Sequence, residues 1–195
     1  MELKDFLDLS FPMTGKEWCA KSYGNYSSAL QAKLERGEST CTLDSPYKLL
    51  IDRAGQKTDF LQNNGLMCFI NDRVVNVFEK EKFTGWRVFH AQLYDENKKE
   101  YPERYWGLAV TGRAGHSLAK LESTKSPAIY GLRPRGSFRF DLKRWDGSDF
   151  FMLDDMGFII ITPRVAKALR DNGITGWKAN SILNLYGDPT YDDEE

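Results

Sequence analysis

Leu66-Met-Cys-Phe-Ile70, Asn71-Asp72 and Phe83-Thr-Gly-Trp86 return as Gly157-Phe-Ile-Ile-Ile161, Thr162-Pro163 and Ile174-Thr-Gly-Trp177, at a constant spacing of 91 residues. Such self-similarity is the signature of a repeated supersecondary unit. The two apolar runs are short and bounded by turn residues, as expected of strands buried on both faces. Each is followed by a helix start, where Asn71 or Thr162 can accept from first-turn amides and Pro163 suits the first helical position. Val74, Val77 and Phe78, and likewise Val165, Ala168 and Leu169, stand at i, i+3 and i+4, one apolar stripe per helix. Gly173 favours a left-handed stop to the second helix. Lys82 holds that place in the first, which is expected to end less sharply. The Thr-Gly pairs then turn the chain at Gly85 and Gly176, and Trp86 and Trp177 open new strands with their rings in the core. These four residues are assigned structural roles.

Outward from this unit, Trp86 to Tyr94 runs through the polar turn Asp95 to Glu100 into Tyr105 to Val110, a hairpin pattern. A second hairpin is expected between Phe138-Arg-Phe-Asp-Leu142 and Phe150-Phe-Met-Leu153, with Asp146-Gly147 as the tight turn. Residues 25 to 36 read as a helix, with Leu30 and Leu34 on one face and Gly37 at its end. The stretch from Gly112 to Gly136 is basic, contains Pro127 and Pro134, and reads as a long loop suited to function. These elements imply an α+β fold: one domain over residues 1–195, with a mixed or antiparallel sheet and a pseudo-repeat of strand-helix-strand units at 66–93 and 157–184. Residues 1–45 form an N-terminal segment. The 195 residues suit a single core, and 41% hydrophobic and 13% aromatic residues are ample to fill it.

Cys19, Cys41 and Cys68 are odd in number and match no zinc or redox spacing, so they read as reduced thiols. Acidic residues lie where a signal peptide needs a basic start, and no apolar run approaches the roughly 20 residues of a membrane span. No membrane association and a cytoplasmic location are therefore expected. The net charge of -1 hides an asymmetry. Residues 113–145 carry eight Lys or Arg against two acids, whereas residues 146–195 carry ten acids against four bases. Two readings stay open: a partner surface, or mutual neutralisation across the fold.

Catalysis needs convergent titratable groups, and the two histidines stand in different contexts. His90 lies on the strand opened by Trp86 and reads as a structural histidine. His116, in Gly112-Arg-Ala-Gly-His116, lacks the strand-loop-helix setting of a phosphate site. Asp146, Asp149, Asp154 and Asp155 suggest a cation, but the bidentate Glu of a calcium loop is missing and Asp146-Gly147 reads better as a turn. No Ser or Cys nucleophile has a recognisable base and acid. The expectation is a non-enzyme with no cofactor and no metal.

Thr58-Asp-Phe-Leu61, the unit Phe69 to Leu93 with Arg73-Val-Val and Phe83-Thr-Gly-Trp86, and the unit Phe158 to Trp177 resemble bacterial immunity proteins of polymorphic toxin and type VI secretion systems. The resemblance spans roughly residues 45 to 186, and the N-terminal 45 residues fit it poorly. It implies a small cytoplasmic α+β protein that binds and neutralises a cognate toxin encoded nearby, with no shared catalytic residues. Under that reading the leading contact candidates are Arg113, Arg133 and Arg135 in the basic segment and Asp192, Asp193 and Glu194 in the acidic tail. The alternative is a nucleic-acid or nucleotide-binding protein using the basic 113–144 stretch, with Tyr130 and Phe138 interleaved. The chain pI of about 6.2 makes nucleic acid the weaker expectation.

Overall fold

The computed structural model describes residues 1–12, 18–38, 43–53, 55–63, 67–118 and 139–183. In chain order the strands are β1 (Leu7–Ser10), β2 (Cys19–Ser22), β3 (Tyr47–Arg53), β4 (Phe60–Asn63), β5 (Cys68–Asn71), β6 (Trp86–Tyr94), β7 (Tyr105–Val110), β8 (Gly112–Arg113), β9 (Phe150–Met152), β10 (Ile159–Ile161) and β11 (Lys178–Ser181). The helices are α1 (Ser28–Glu35), α2 (Asp72–Lys80) and α3 (Pro163–Asp171). The fold is α+β. Strands in the order β2-β3-β6-β7-β5-β4 close a barrel, and β11-β1-β10-β9-β8 form a second sheet. In the barrel, β3 runs parallel to β6 and β2 parallel to β4; in the second sheet only β8 and β9 are parallel.

The two sheets share a pairing scheme. β4-β5-β7-β6 in the barrel and β9-β10-β1-β11 in the second sheet have the same order and the same antiparallel directions. Their registers correspond as well. Ile70 pairs with Trp106, which pairs with His90; 91 residues on from Ile70 and His90, Ile161 pairs with Leu7, which pairs with Ser181. The place that β7 takes beside β5 is taken beside β10 by β1, from the other end of the chain. The N-terminal segment is thus woven into both sheets.

Alternation along the strands separates three cores. Cys68 and Ile70 of β5, Phe150 and Met152 of β9, and Ile159 and Ile161 of β10 face a central layer. There they meet the stripes Val74, Val77, Phe78 of α2 and Val165, Ala168, Leu169 of α3. Phe69 turns the other way, into the barrel interior with Tyr47, Leu49, Leu61 and Leu93, where Leu34 of α1 also packs. Phe151 and Ile160 face a third cluster with Phe6, Phe140 and Ile182. Burying a Phe or Leu side chain contributes about 1.5–3 kcal/mol.

Four local expectations differ from the structure. The second hairpin is absent: β9 is flanked by β10 and β8, and Leu142–Arg144 forms a 3-10 turn. Asp146 instead accepts from the Ser148 amide at 3.0 Å, a local turn stabilised by its own carboxylate. Asn71 caps α2 through Val74, but the Thr162 side chain makes no cap hydrogen bond to α3. Lys82 adopts a left-handed φ of 53°, close to the 58° of Gly173, so the first helix ends as sharply as the second despite its side chain. Trp86 and Trp177 are half-buried at the edge of the central core rather than inside it.

Candidate binding surface

The residues that carry the sequence motifs form two matched locks between the barrel and the second sheet. Asp59, just before β4, accepts from the amide and hydroxyl of Thr175 at 2.8 and 2.9 Å, from Arg73 of α2 at 3.0 Å and from Asn71 at 3.0 Å. Asp149, just before β9, accepts from the amide and hydroxyl of Thr84 at 3.0 and 3.3 Å, from Arg164 of α3 at 3.0 Å and from Thr162 at 3.1 Å. Thr162 therefore donates to Asp149 in place of capping α3. Arg73 reaches across to the Asn172 carbonyl and Arg164 to the Glu81 carbonyl, each at the end of the opposite helix. Each half grips the Thr-Gly turn of the other.

Close approach explains the turn glycines. Gly85 and Gly176 have φ of 81° and 83°, and a Cβ on them would lie 2.0 Å from the Phe150 carbonyl oxygen and 2.7 Å from that of Phe60. Both aspartates are buried. Burial pushes the Asp59 carboxyl up, but the hydrogen bonds from Asn71 and Thr175 and the Arg73 guanidinium outweigh it and hold the carboxyl below the usual range.

Arg113 is engaged by its own chain. Its guanidinium donates to the carbonyls of Val110, Gly112 and Arg36, the last at the C-terminal end of α1. Arg87 donates to the Gly37 carbonyl beside it at 2.7 Å. Cations at a helix C-terminus complement its exposed carbonyls and dipole. Arg133, Arg135, Asp192, Asp193 and Glu194 lie outside the described residues, as do Cys41, Tyr130 and Phe138.

The acidic cluster is dispersed among separate partners. Asp146 accepts from the Arg113 amide, Asp149 belongs to a lock, and Asp155 accepts from the amide and hydroxyl of Ser117. Asp154 sits 3.6 Å from Arg36 and 3.9 Å from the exposed His116. Among the described residues, no group of three or more His, Cys, Asp or Glu is placed to hold a metal ion. No helix among them is long and apolar enough to cross a membrane.

A cleft of about 350 Å³ opens on the barrel where residues 102–104 leave the ladder between β6 and β7; Pro46, His90, Gln92, Glu100, Arg104 and Trp106 help to line it. His90 and Trp106 are cross-strand partners, and their rings meet edge to face at 4.9 Å. The indole N–H of Trp106 donates to Asp72 at the start of α2, at 2.6 Å, and Arg104 lies over the ring at 5.4 Å. Next to it, Lys57 sits over Tyr101 and pairs with Glu103. Nothing in the sequence brings these residues together. Its one local signal was a Trp on the outer face of a hairpin strand.

The fold and this surface define an α+β protein in which a closed barrel is locked to a second sheet and presents an aromatic cleft outward. No family model matches the chain, and no curated protein matches it significantly.

Proposed function

We propose that the protein is a non-catalytic immunity protein that acts in the cytoplasm by binding a cognate secreted bacterial toxin and occluding it. One contrast carries the reading. The buried ionisable groups Asp59 and Asp149 and the partly buried Arg113 are engaged in holding the sheets and α1 together. The Trp106 cluster, by contrast, lines an open cleft on the barrel, its indole half-buried against the central core and tied to Asp72. Polar groups so engaged supply rigidity, whereas Trp, Tyr and Arg side chains at a cleft are the residue types that anchor protein interfaces. The resemblance of the Thr58-Asp-Phe-Leu61 and Thr-Gly-Trp segments to immunity proteins supports the same role.

The test is co-purification with the toxin domain encoded by the adjacent gene. A one-to-one complex that survives 0.5 M salt, roughly three times physiological ionic strength, is expected, together with rescue of cells expressing that domain. An interface of this kind buries on the order of 1,600 Å² in total. Absence of any complex, or salt-sensitive binding of arbitrary oligonucleotides instead, would overturn the reading.

A further inference from the structure

We propose that α1 is a latch on the barrel controlled by Glu35: the neutral side chain keeps the last turn of the helix seated, and ionisation releases the helix locally while the sheets stay folded. Such a latch operates whatever partner the protein binds. Of the eight residues of α1 only Leu34 and Glu35, both in the last turn, are buried. Leu34 sits in the barrel cluster with Tyr47, Leu49 and Leu61, and Leu30 packs partly against it. Ser28, Ala29, Ala32 and Lys33 are exposed. A helix this short is marginal without tertiary support, and one with so little buried surface opens more readily than the sheets beneath it. One of the two side chains that seat it is a carboxyl.

The surroundings of Glu35 suit its neutral form. One carboxyl oxygen has no hydrogen-bond partner, and the residue ends the helix, where unpaired carbonyls and the helix dipole disfavour negative charge. The cations at this end are engaged elsewhere. Next in the chain, Arg36 donates to the Leu153 carbonyl and lies 3.6 Å from Asp154. Arg87 of β6 donates to the Gly37 carbonyl, and Arg113 of β8 to the Arg36 carbonyl. Cys68 of β5 faces Glu35 with a thiol that burial keeps neutral. β7, against which α1 packs, carries no Asp, Glu, Lys, Arg or His. Glu38 and Asp154 add negative charge beside Arg113, and His116 stands 3.9 Å from Asp154.

Burial accordingly pushes the Glu35 carboxyl up to about 7, against the pull of Arg36. Ionisation in the seat is opposed, whereas opening the last turn gives the carboxylate water. The seated helix is therefore favoured fully below the ordinary value of 4.5, and that preference fades as pH rises toward 7. Between pH 5 and pH 8 this difference raises the opening constant of α1 on the order of fiftyfold.

Hydrogen exchange read by mass spectrometry on the full-length protein tests the latch, at pH 5, 6.5 and 8 with exposure times scaled for the intrinsic rate. Peptides covering residues 28–36 should lose protection on the order of fiftyfold across this range, while β5 and β7 keep theirs. Glu35→Gln should hold α1 equally protected at all three values, and His116→Gln should leave the wild-type dependence in place. Flat protection of α1 in the wild type would overturn the latch without recourse to any variant. So would a loss shared equally by β5 and β7, a dependence that persists in Glu35→Gln, or one that disappears in His116→Gln.

Discussion

Glu35 is the last residue of α1, 5% exposed, and one of its carboxylate oxygens has no hydrogen-bond partner. Burial pushes its carboxyl up to about 7, with Arg36 pulling the other way. A folded-state value above the unfolded one means that ionisation opposes folding. The contribution of neutral Glu35 is complete below about 4.5, is lost as pH rises toward 7, and is absent beyond that. Glu35→Gln should therefore flatten the dependence of stability on pH in this window and gain up to about 3 kcal/mol at pH 8. Urea midpoints at pH 5 and pH 8 for both proteins check this; parallel changes would show Glu35 to be solvated. Asp59 acts in the opposite sense. Its lowered carboxyl supports folding above the ordinary carboxylate range, and that support is lost as pH falls through its folded value. Glu35 was not legible in the sequence, because a Glu at the end of an amphipathic helix ordinarily points to solvent.

At the scale of elements, the paired locks make each half a condition for the other. Asp59→Ala leaves Arg73 and the Thr175 amide without their carboxylate, and Asp149→Ala does the same to Arg164 and Thr84. Each change should lower stability by about 3 kcal/mol, and the two losses should agree within about 1 kcal/mol. Denaturant unfolding of the two variants measures this, and a loss confined to one of them would contradict the matched roles. The helices were legible because their stripes are local, and β5 and β10 because short apolar runs between turns have few alternatives. The second hairpin was misread because Asp146-Gly147 signals a turn without specifying which strands flank it. β1 was missed for a different reason. Its partners Ile159–Ile161 and Ala179 stand some 150 residues away or more, and the alternation Leu7-Asp8-Leu9-Ser10 is only four residues long.

At the scale of the whole molecule, a closed barrel and a second sheet joined at both Thr-Gly turns form a body suited to bind without rearranging, as preorganised partners do. The candidate surface was the least legible part, since Asp72, His90, Arg104 and Trp106 come from three elements and one loop and meet only through the barrel. Occlusion, the proposed mode of action, differs from catalysis in its stoichiometry. The direct measurement is residual toxin activity as the protein is titrated into a fixed amount of the neighbouring toxin domain, at concentrations well above the dissociation constant. Occlusion predicts a linear fall to zero at one protein per toxin, unchanged by longer incubation. Neutralisation that continues with time at a small fraction of one equivalent would contradict it.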